Sequence, residues 1–296
     1  MGHRFCQSVP AVVMVIVNSL NVNSLLTHKR ALKAYTSCAM TNIDKHPAGA
    51  FSWVELATTD QNGAKNFYMA LFGWSLNEFP IGPDAVYTIF RLQDRDTAGA
   101  YTLMAEQRGV PPHWNLYVTV DNADQVAVRA KELGGTVLQP AFDVMDSGRM
   151  AAVQDPTGAA FMVWQAKKST GIGIHGVEGT LCWADLCTLD PDRAARFYSS
   201  LFGWEITRGE KDADKDGYLH IKNGEDFIGG IPPAKFQNPN IPPYWLAYFY
   251  VSDVEGVARR AKQLGATVHV PPMKIENVGT MAVIADPQGA VFAIFK

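Results

Sequence analysis

Two stretches decide the reading: "FYMALFGW" at residues 67–74 and "FYSSLFGW" at residues 197–204. Extended outward, residues 53–74 align with 183–204 without a gap, and 11 of 22 positions are identical. Residues 114–137 align with 245–268 at 12 of 24 positions, and "DPTGAAF" at 155–161 returns as "DPQGAVF" at 286–292. Self-similarity on this scale means a duplicated unit. Two domains follow, at 49–166 and 180–296, joined by the Gly-rich linker "KKSTGIGIHGVEG" of residues 167–179. A chain of 296 residues is long enough for two cores.

Each domain contains two smaller units. Asp60 caps a helix whose apolar positions Ala64, Phe67, Tyr68, Leu71 and Phe72 follow the helical period, and Gly73 ends it. A second helix starts near Asp121, buries Ala123, Val126, Ala127, Ala130 and Leu133, and stops at Gly134. In the other domain Asp190-Pro191 and Gly203 bracket the first helix, with proline at N1, and Asp253 and Gly265 bracket the second. Strand-like runs such as "VYTIFRL" (86–92), "RMAAVQD" (149–155) and "MAVIAD" (281–286) fill the intervals. The order is strand, helix, then about three strands, four times over, an α+β architecture.

The helix D-x3-A-x2-F-Y-x2-L-F-G-W, the helix ending A-K-x-L-G and the closing D-P-x-G, each present twice, resemble the vicinal oxygen chelate superfamily of glyoxalases, bleomycin-resistance proteins and extradiol dioxygenases. The resemblance covers roughly residues 50–296. It implies four βαβββ modules paired into two glyoxalase-like domains, each an incomplete β-barrel around a pocket. It does not fix the chemistry, since one scaffold hosts isomerases, dioxygenases and drug-binding proteins.

Metal-using members of that superfamily place a histidine or glutamate on the first strand of a module and a glutamate on the last. The resemblance puts the first-strand ligand seven residues before the helix-capping aspartate, at Trp53 and Trp183. An indole N–H only donates and cannot coordinate a cation. The last-strand position falls on Met162 and Ala293, and the second-module position near Asn115 and Leu246. No metal or other cofactor is therefore expected. An unorthodox divalent site using Glu55, Asp185 and His113 stays open, although no H-x-H or H-x-x-x-H spacing supports it.

Glu55 and Asp185 alternate with Trp53 and Trp183 on their strands, so each pair shares one face. Both acids are candidates either for proton transfer or for anchoring the strand by hydrogen bonds, and burial beside Trp53 would raise the Glu55 pKa. The candidate ligand-binding side chains are Trp53, His113, Trp114, Tyr117, Trp183, His220, Trp245 and Tyr248. Phe67, Tyr68, Phe197 and Tyr198 read as core, as do Trp74 and Trp204, and the Pro-rich "IPPAKFQNPNIPPY" (231–244) as a loop over a pocket edge. The expected function is binding of a small molecule in aromatic-lined cavities, with a lyase- or isomerase-type enzyme as the alternative.

Net charge of −3, with no basic-aromatic stripe, argues against a nucleic-acid partner. Cys6, Cys38, Cys182 and Cys187 form no C-x-x-C pair, and Cys182 and Cys187 are expected on opposite strand faces, which points to a reducing, cytoplasmic setting. The first 48 residues form an N-terminal extension. Its apolar run "VPAVVMVIV" (9–17) is too short to span a bilayer and reads either as a secretion signal or as sequence upstream of a start at Met40. No membrane partner is expected, and both a monomer and a homodimer fit.

Overall fold

The computed structural model describes residues 41–83, 85–107, 109–208, 217–275 and 278–296. The apolar run and Met40 lie outside them. Two eight-stranded mixed sheets form the protein. The first runs, in spatial order, Ser75–Pro80, Val86–Leu92, Arg95–Thr102, Phe51–Thr58, His113–Thr119, Ala160–Ala166, Gly148–Gln154 and Thr136–Val144. The second repeats it with Glu205–Arg208, Leu219–Asn223, Asp226–Ile231, Leu181–Cys187, Tyr244–Tyr250, Val291–Phe295, Gly279–Ala285 and Thr267–Ile275. Two modules meet at the middle of each sheet, where the first strand of one runs antiparallel to the first strand of the other, as Glu55 opposite Asn115 and Asp185 opposite Leu246 show. The fold is the duplicated βαβββ pair, and neither sheet closes on itself.

The helices end where local chemistry stops them. Gln61–Phe72 is capped by the Asp60 side chain accepting from Gly63 N, and it ends at Gly73 in the left-handed region, φ 70°. Pro191–Phe202 repeats this, with Asp190 as cap and Gly203 at φ 72°. Ala123–Glu132 is capped by Asn122 and Val254–Gln263 by Asp253.

Even-numbered residues of the first strand, such as Val54 and Leu56, face the helices and are fully buried. The helix-facing sides of both sheets share one core. Phe72 of the first domain packs on Phe249 of the second at 5.3 Å between ring centroids, and Phe51 packs on Trp245 at 5.3 Å. Reciprocal hydrogen bonds tie the halves within this core. Tyr68 Oη donates to Asp286 Oδ2 at 2.9 Å, and Tyr198 Oη donates to Asp155 Oδ2 at 3.0 Å. Each tyrosine also accepts from a strand tryptophan of its own domain, Trp114 Nε1 at 3.2 Å and Trp245 Nε1 at 3.0 Å. Burial pushes the Asp286 carboxyl above its ordinary value, while hydrogen bonds from its turn and from Tyr68 pull the other way.

Residues 167–179, expected as a linker, are built into the structure. Ile172 and Ile174 are fully buried, and Ile172 N donates to Ser52 O at 2.7 Å. Ile174–His175 pairs with Thr41–Asn42, so the end of the expected N-terminal extension is also packed down. Glycine is required at Gly171, φ 106°, where a Cβ would collide with Ser52 O. At this seam His46 Nε2 meets Ile172 O at 2.8 Å, and the His46 and His175 rings lie edge to face at 6.1 Å. Among the described residues no helix is long and apolar enough to cross a membrane.

Two outcomes test this account. Tyr68→Phe leaves Asp286 Oδ2 and Trp114 Nε1 without their buried partner and should cost about 1–3 kcal/mol in urea unfolding, as should Tyr198→Phe. Burial lowers the pKa of both seam histidines, that of His175 to about 4 with help from the neighbouring His46. The unfolded chain then binds protons more readily, so stability is complete above the ordinary histidine value and falls as pH drops from 6.5 towards 4. His46→Gln/His175→Asn should flatten that part of a stability–pH profile.

Candidate functional site

Past the register shifts after Phe51 and Leu181, the odd-numbered residues of each first strand face away from the helices, and there the two domains carry the same polar cluster. Trp53 and Glu55 lie opposite Tyr117 and Asn115. Glu55 Oε1 accepts from Tyr87 Oη at 2.7 Å, and Oε2 accepts from Tyr117 Oη at 2.7 Å. Trp53 Nε1 donates to Tyr87 Oη at 2.9 Å. In the second domain Asp185 Oδ1 accepts from Tyr218 Oη at 2.6 Å, and Oδ2 accepts from Tyr248 Oη at 2.8 Å. Trp183 Nε1 divides its hydrogen between Tyr218 Oη at 3.1 Å and Asp185 Oδ1 at 3.0 Å. Aspartate is one methylene shorter than glutamate, which holds its carboxylate back within reach of its own strand's indole.

Burial raises the Glu55 pKa, against the opposing pull of hydrogen bonds from Tyr117, Tyr87 and Asn115. Burial, reinforced by the adjacent carboxylate, holds Tyr87 and Tyr117 well above the ordinary phenol value, and the same holds for Tyr218 and Tyr248 beside Asp185. All four phenols therefore stay protonated as donors. The parallel neighbour of each acid is a glycine, Gly99 beside Glu55 and Gly230 beside Asp185. A Cβ at Gly99 would collide with Tyr87 Oη, and one at Gly230 with Tyr218 Oη. The bare backbone makes room for the phenol.

A cavity of about 210 Å³ opens over the second cluster. Trp183, Asp185, Tyr218, His220 and Tyr248 line it, facing a wall that includes Val270, Met281 and Phe295. The Pro-rich loop borders it through Pro232, Pro233, Phe236 and Ile241. His220 packs between Tyr218 and Phe227, with centroids at 5.0 and 5.7 Å.

Several sequence expectations need correction. Trp114 and Trp245, expected on a pocket wall, lie on the helix-facing side of their strands and bond to Tyr68 and Tyr198 in the shared core. His113 shares the face of Trp53 but sits at the strand end, its Nδ1 within 2.8 Å of Pro111 O. Cys182 and Cys187 were expected on opposite faces, yet both line the cavity, because the pairing register breaks between Leu181 and Trp183. Burial together with the Asp185 charge pushes Cys187 up to about 12, an inert protonated thiol. Among the described residues no three His, Cys, Asp or Glu side chains converge as a metal site.

Tyr87 and Tyr218 were missed. The signal was available, because "VYTIFRL" and "GYLHIKN" put a tyrosine at matching places ahead of the glycine strand.

Comparison with known proteins matches residues 50–163 and 180–294 to the family described as the glyoxalase/bleomycin resistance protein/dioxygenase superfamily. CFP32 of Mycobacterium tuberculosis, provisionally named a glyoxylase, is 38% identical over 261 residues, covering 87% of this chain and 98% of that protein. The anthracycline biosynthesis protein DnrV of Streptomyces peucetius is 31% identical over 264 residues, covering 84% of this chain and 93% of that one. The Mn(II)-bound glyoxalase of Novosphingobium aromaticivorans shares the fold, with TM-score 0.58 at 16% identity over 84% of this chain and 82% of that one.

If the glycine holds the cluster together, Gly230→Ala should push Tyr218 off Asp185. The expected readout is a shifted near-ultraviolet tyrosine and tryptophan signal with retained far-ultraviolet signal. The additional Tyr218→Phe change, which removes the colliding hydroxyl, should recover part of the lost stability.

Proposed function

The chain belongs to the glyoxalase/bleomycin resistance protein/dioxygenase superfamily, and on that premise we propose that it binds a small molecule in the cavity of its second domain without a divalent metal. The observation that carries the reading is the cavity itself, about 210 Å³ and lined mainly by apolar and aromatic side chains around one acid. The donor set does not fit a cation. Trp53 and Trp183 stand where metal-using relatives place a ligand, and their N–H groups are engaged with Tyr87 and Tyr218. The two oxygens of Glu55, and likewise those of Asp185, already accept from tyrosine hydroxyls. A metal would have to displace these donors, and among the described residues no three His, Cys, Asp or Glu side chains gather to replace them. The Streptomyces relative named for anthracycline biosynthesis is in keeping with a small organic ligand.

An acid–base role for Glu55 or Asp185 has less support. Burial raises the Glu55 pKa, but both of its oxygens, like both of those of Asp185, are occupied by tyrosine hydroxyls, so neither acid reaches a substrate proton without losing a donor. The cluster therefore serves as a rigid polar floor under the ligand.

Elemental analysis of the full chain, purified with and without added Zn, Mn, Ni or Fe, should find only substoichiometric metal. A stoichiometric, chelator-sensitive ion would overturn the metal-free reading. A ligand at 100 times its Kd should raise stability by about 2.7 kcal/mol in a thermal-shift screen.

A further inference from the structure

The duplication supplies an internal comparison that bears on what the cavity takes. Both domains share the strand registers and the Trp–acid–Tyr–Tyr floor, so the scaffold alone does not dictate the lining. Three lining positions lose polarity between the copies, while one gains it: Ile89, paired with Gly99, becomes His220, paired with Gly230. Asn115, opposite Glu55, becomes Leu246, opposite Asp185. Gln139, paired with Ala152, becomes Val270, paired with Val283. Ser147, just before the strand that opens at Gly148, becomes Val278, just before Gly279. Leu246, Val270 and Val278 line the cavity, and each replaces a polar side chain by an apolar one. Val270 is buried where Gln139 is exposed.

Charge points the same way. Among the described residues that line the cavity there is no lysine or arginine, His220 is the one imidazole, packed between Tyr218 and Phe227, and Asp185 is the one carboxylate. An anionic ligand would lose its hydration, find no lysine or arginine and face that acid. A cationic ligand would have to compete with Tyr218 and Tyr248 for the acid's lone pairs. Trp183, Tyr244, Phe236 and Phe295 contribute aromatic rings to the lining, which suits a ring-bearing ligand over a flexible chain.

From these two observations we infer that the second-domain cavity selects an uncharged, ring-bearing organic molecule and rejects its anionic and cationic counterparts. The inference rests on the small-molecule reading above and sharpens it to a ligand class. The first domain, polar at the matching positions, is not an equivalent second site for that class.

Titration calorimetry of the full chain with three probes of one shape tests it: 2-naphthalenemethanol, 2-naphthoate and 2-naphthylmethylammonium. The alcohol should bind about tenfold or more tightly than either ion, since burying an unpaired charge is the more costly step. Val270→Gln, which installs the first domain's own residue, should weaken alcohol binding, and Gln139→Val should leave it unchanged. If naphthoate or the ammonium binds as tightly as the alcohol, the charge selection is wrong while the site stands. If none of the three binds saturably, the site and the ligand class both fail. If Gln139→Val alters binding and Val270→Gln does not, the ligand sits in the first domain and the inference is overturned.

Discussion

The structure depends on a pair of crossed hydrogen bonds, Tyr68 to Asp286 and Tyr198 to Asp155. Each aspartate satisfies its own D-P-x-G turn with one oxygen and reaches the other domain's helix with the second. Asp286 Oδ1 accepts from Gln288 N and Ala290 N at 2.9 Å each, which leaves Oδ2 for Tyr68. A buried carboxylate is tolerable only when its lone pairs are met, so the turn and the neighbouring helix stabilise each other. The aromatic residues around these bonds then close one core across both domains. With the helix-facing sides committed to that core, only the outward faces of the sheets are left for ligands.

Those outward faces carry the same polar groups in both domains. An acid under a sheet, away from water, needs donors. In each copy the answer is two tyrosines, an indole and a glycine that makes space for one phenol. Such a network, fully satisfied, rigidifies the floor, whereas one with a missing member would be worse than an apolar patch. This explains why the same four residue types recur although the walls above them have diverged. The floor answers to the fold, which leaves the walls free to differ.

Most of the fold was legible because its signals are local or repeated. Asp60, Gly73, Asp190 and Gly203 mark helix ends by capping chemistry that depends on a few neighbouring residues. The duplication exposed the modules. Trp114 was misplaced through a neglected parity: it stands three residues from Tyr117, so the two cannot share a strand face. Cys182 is the opposite case, because parity was applied correctly and a register break defeated it. No pattern of residue types announces such a break in a strand. The partnership of Tyr68 with Asp286 was equally out of reach, since it joins positions 218 apart. Each of those residues already had an adequate local explanation, one as helix core and the other as turn.

The divergence of the walls also bears on how the second domain holds its cavity. Residues 100–113 and 231–244 are segments of equal length joining equivalent strands, so the difference lies in their composition. In the first, Tyr101 occupies the place of Pro232 and accepts from Gln107 Nε2 at 3.2 Å, a polar bridge within the segment. In the second, Pro232 and Pro233 replace Tyr101 and Thr102 and flank the cavity, together with Pro242 and Pro243, which the first segment matches with Pro111 and Pro112. Proline has a fixed φ and little conformational freedom to lose, so an ordered loop can stand over a hollow without packing into it. A flexible loop of the same length would gain more by collapsing onto the apolar wall. The stiffness of the loop, as much as the apolar character of the wall, is what keeps the second cavity open.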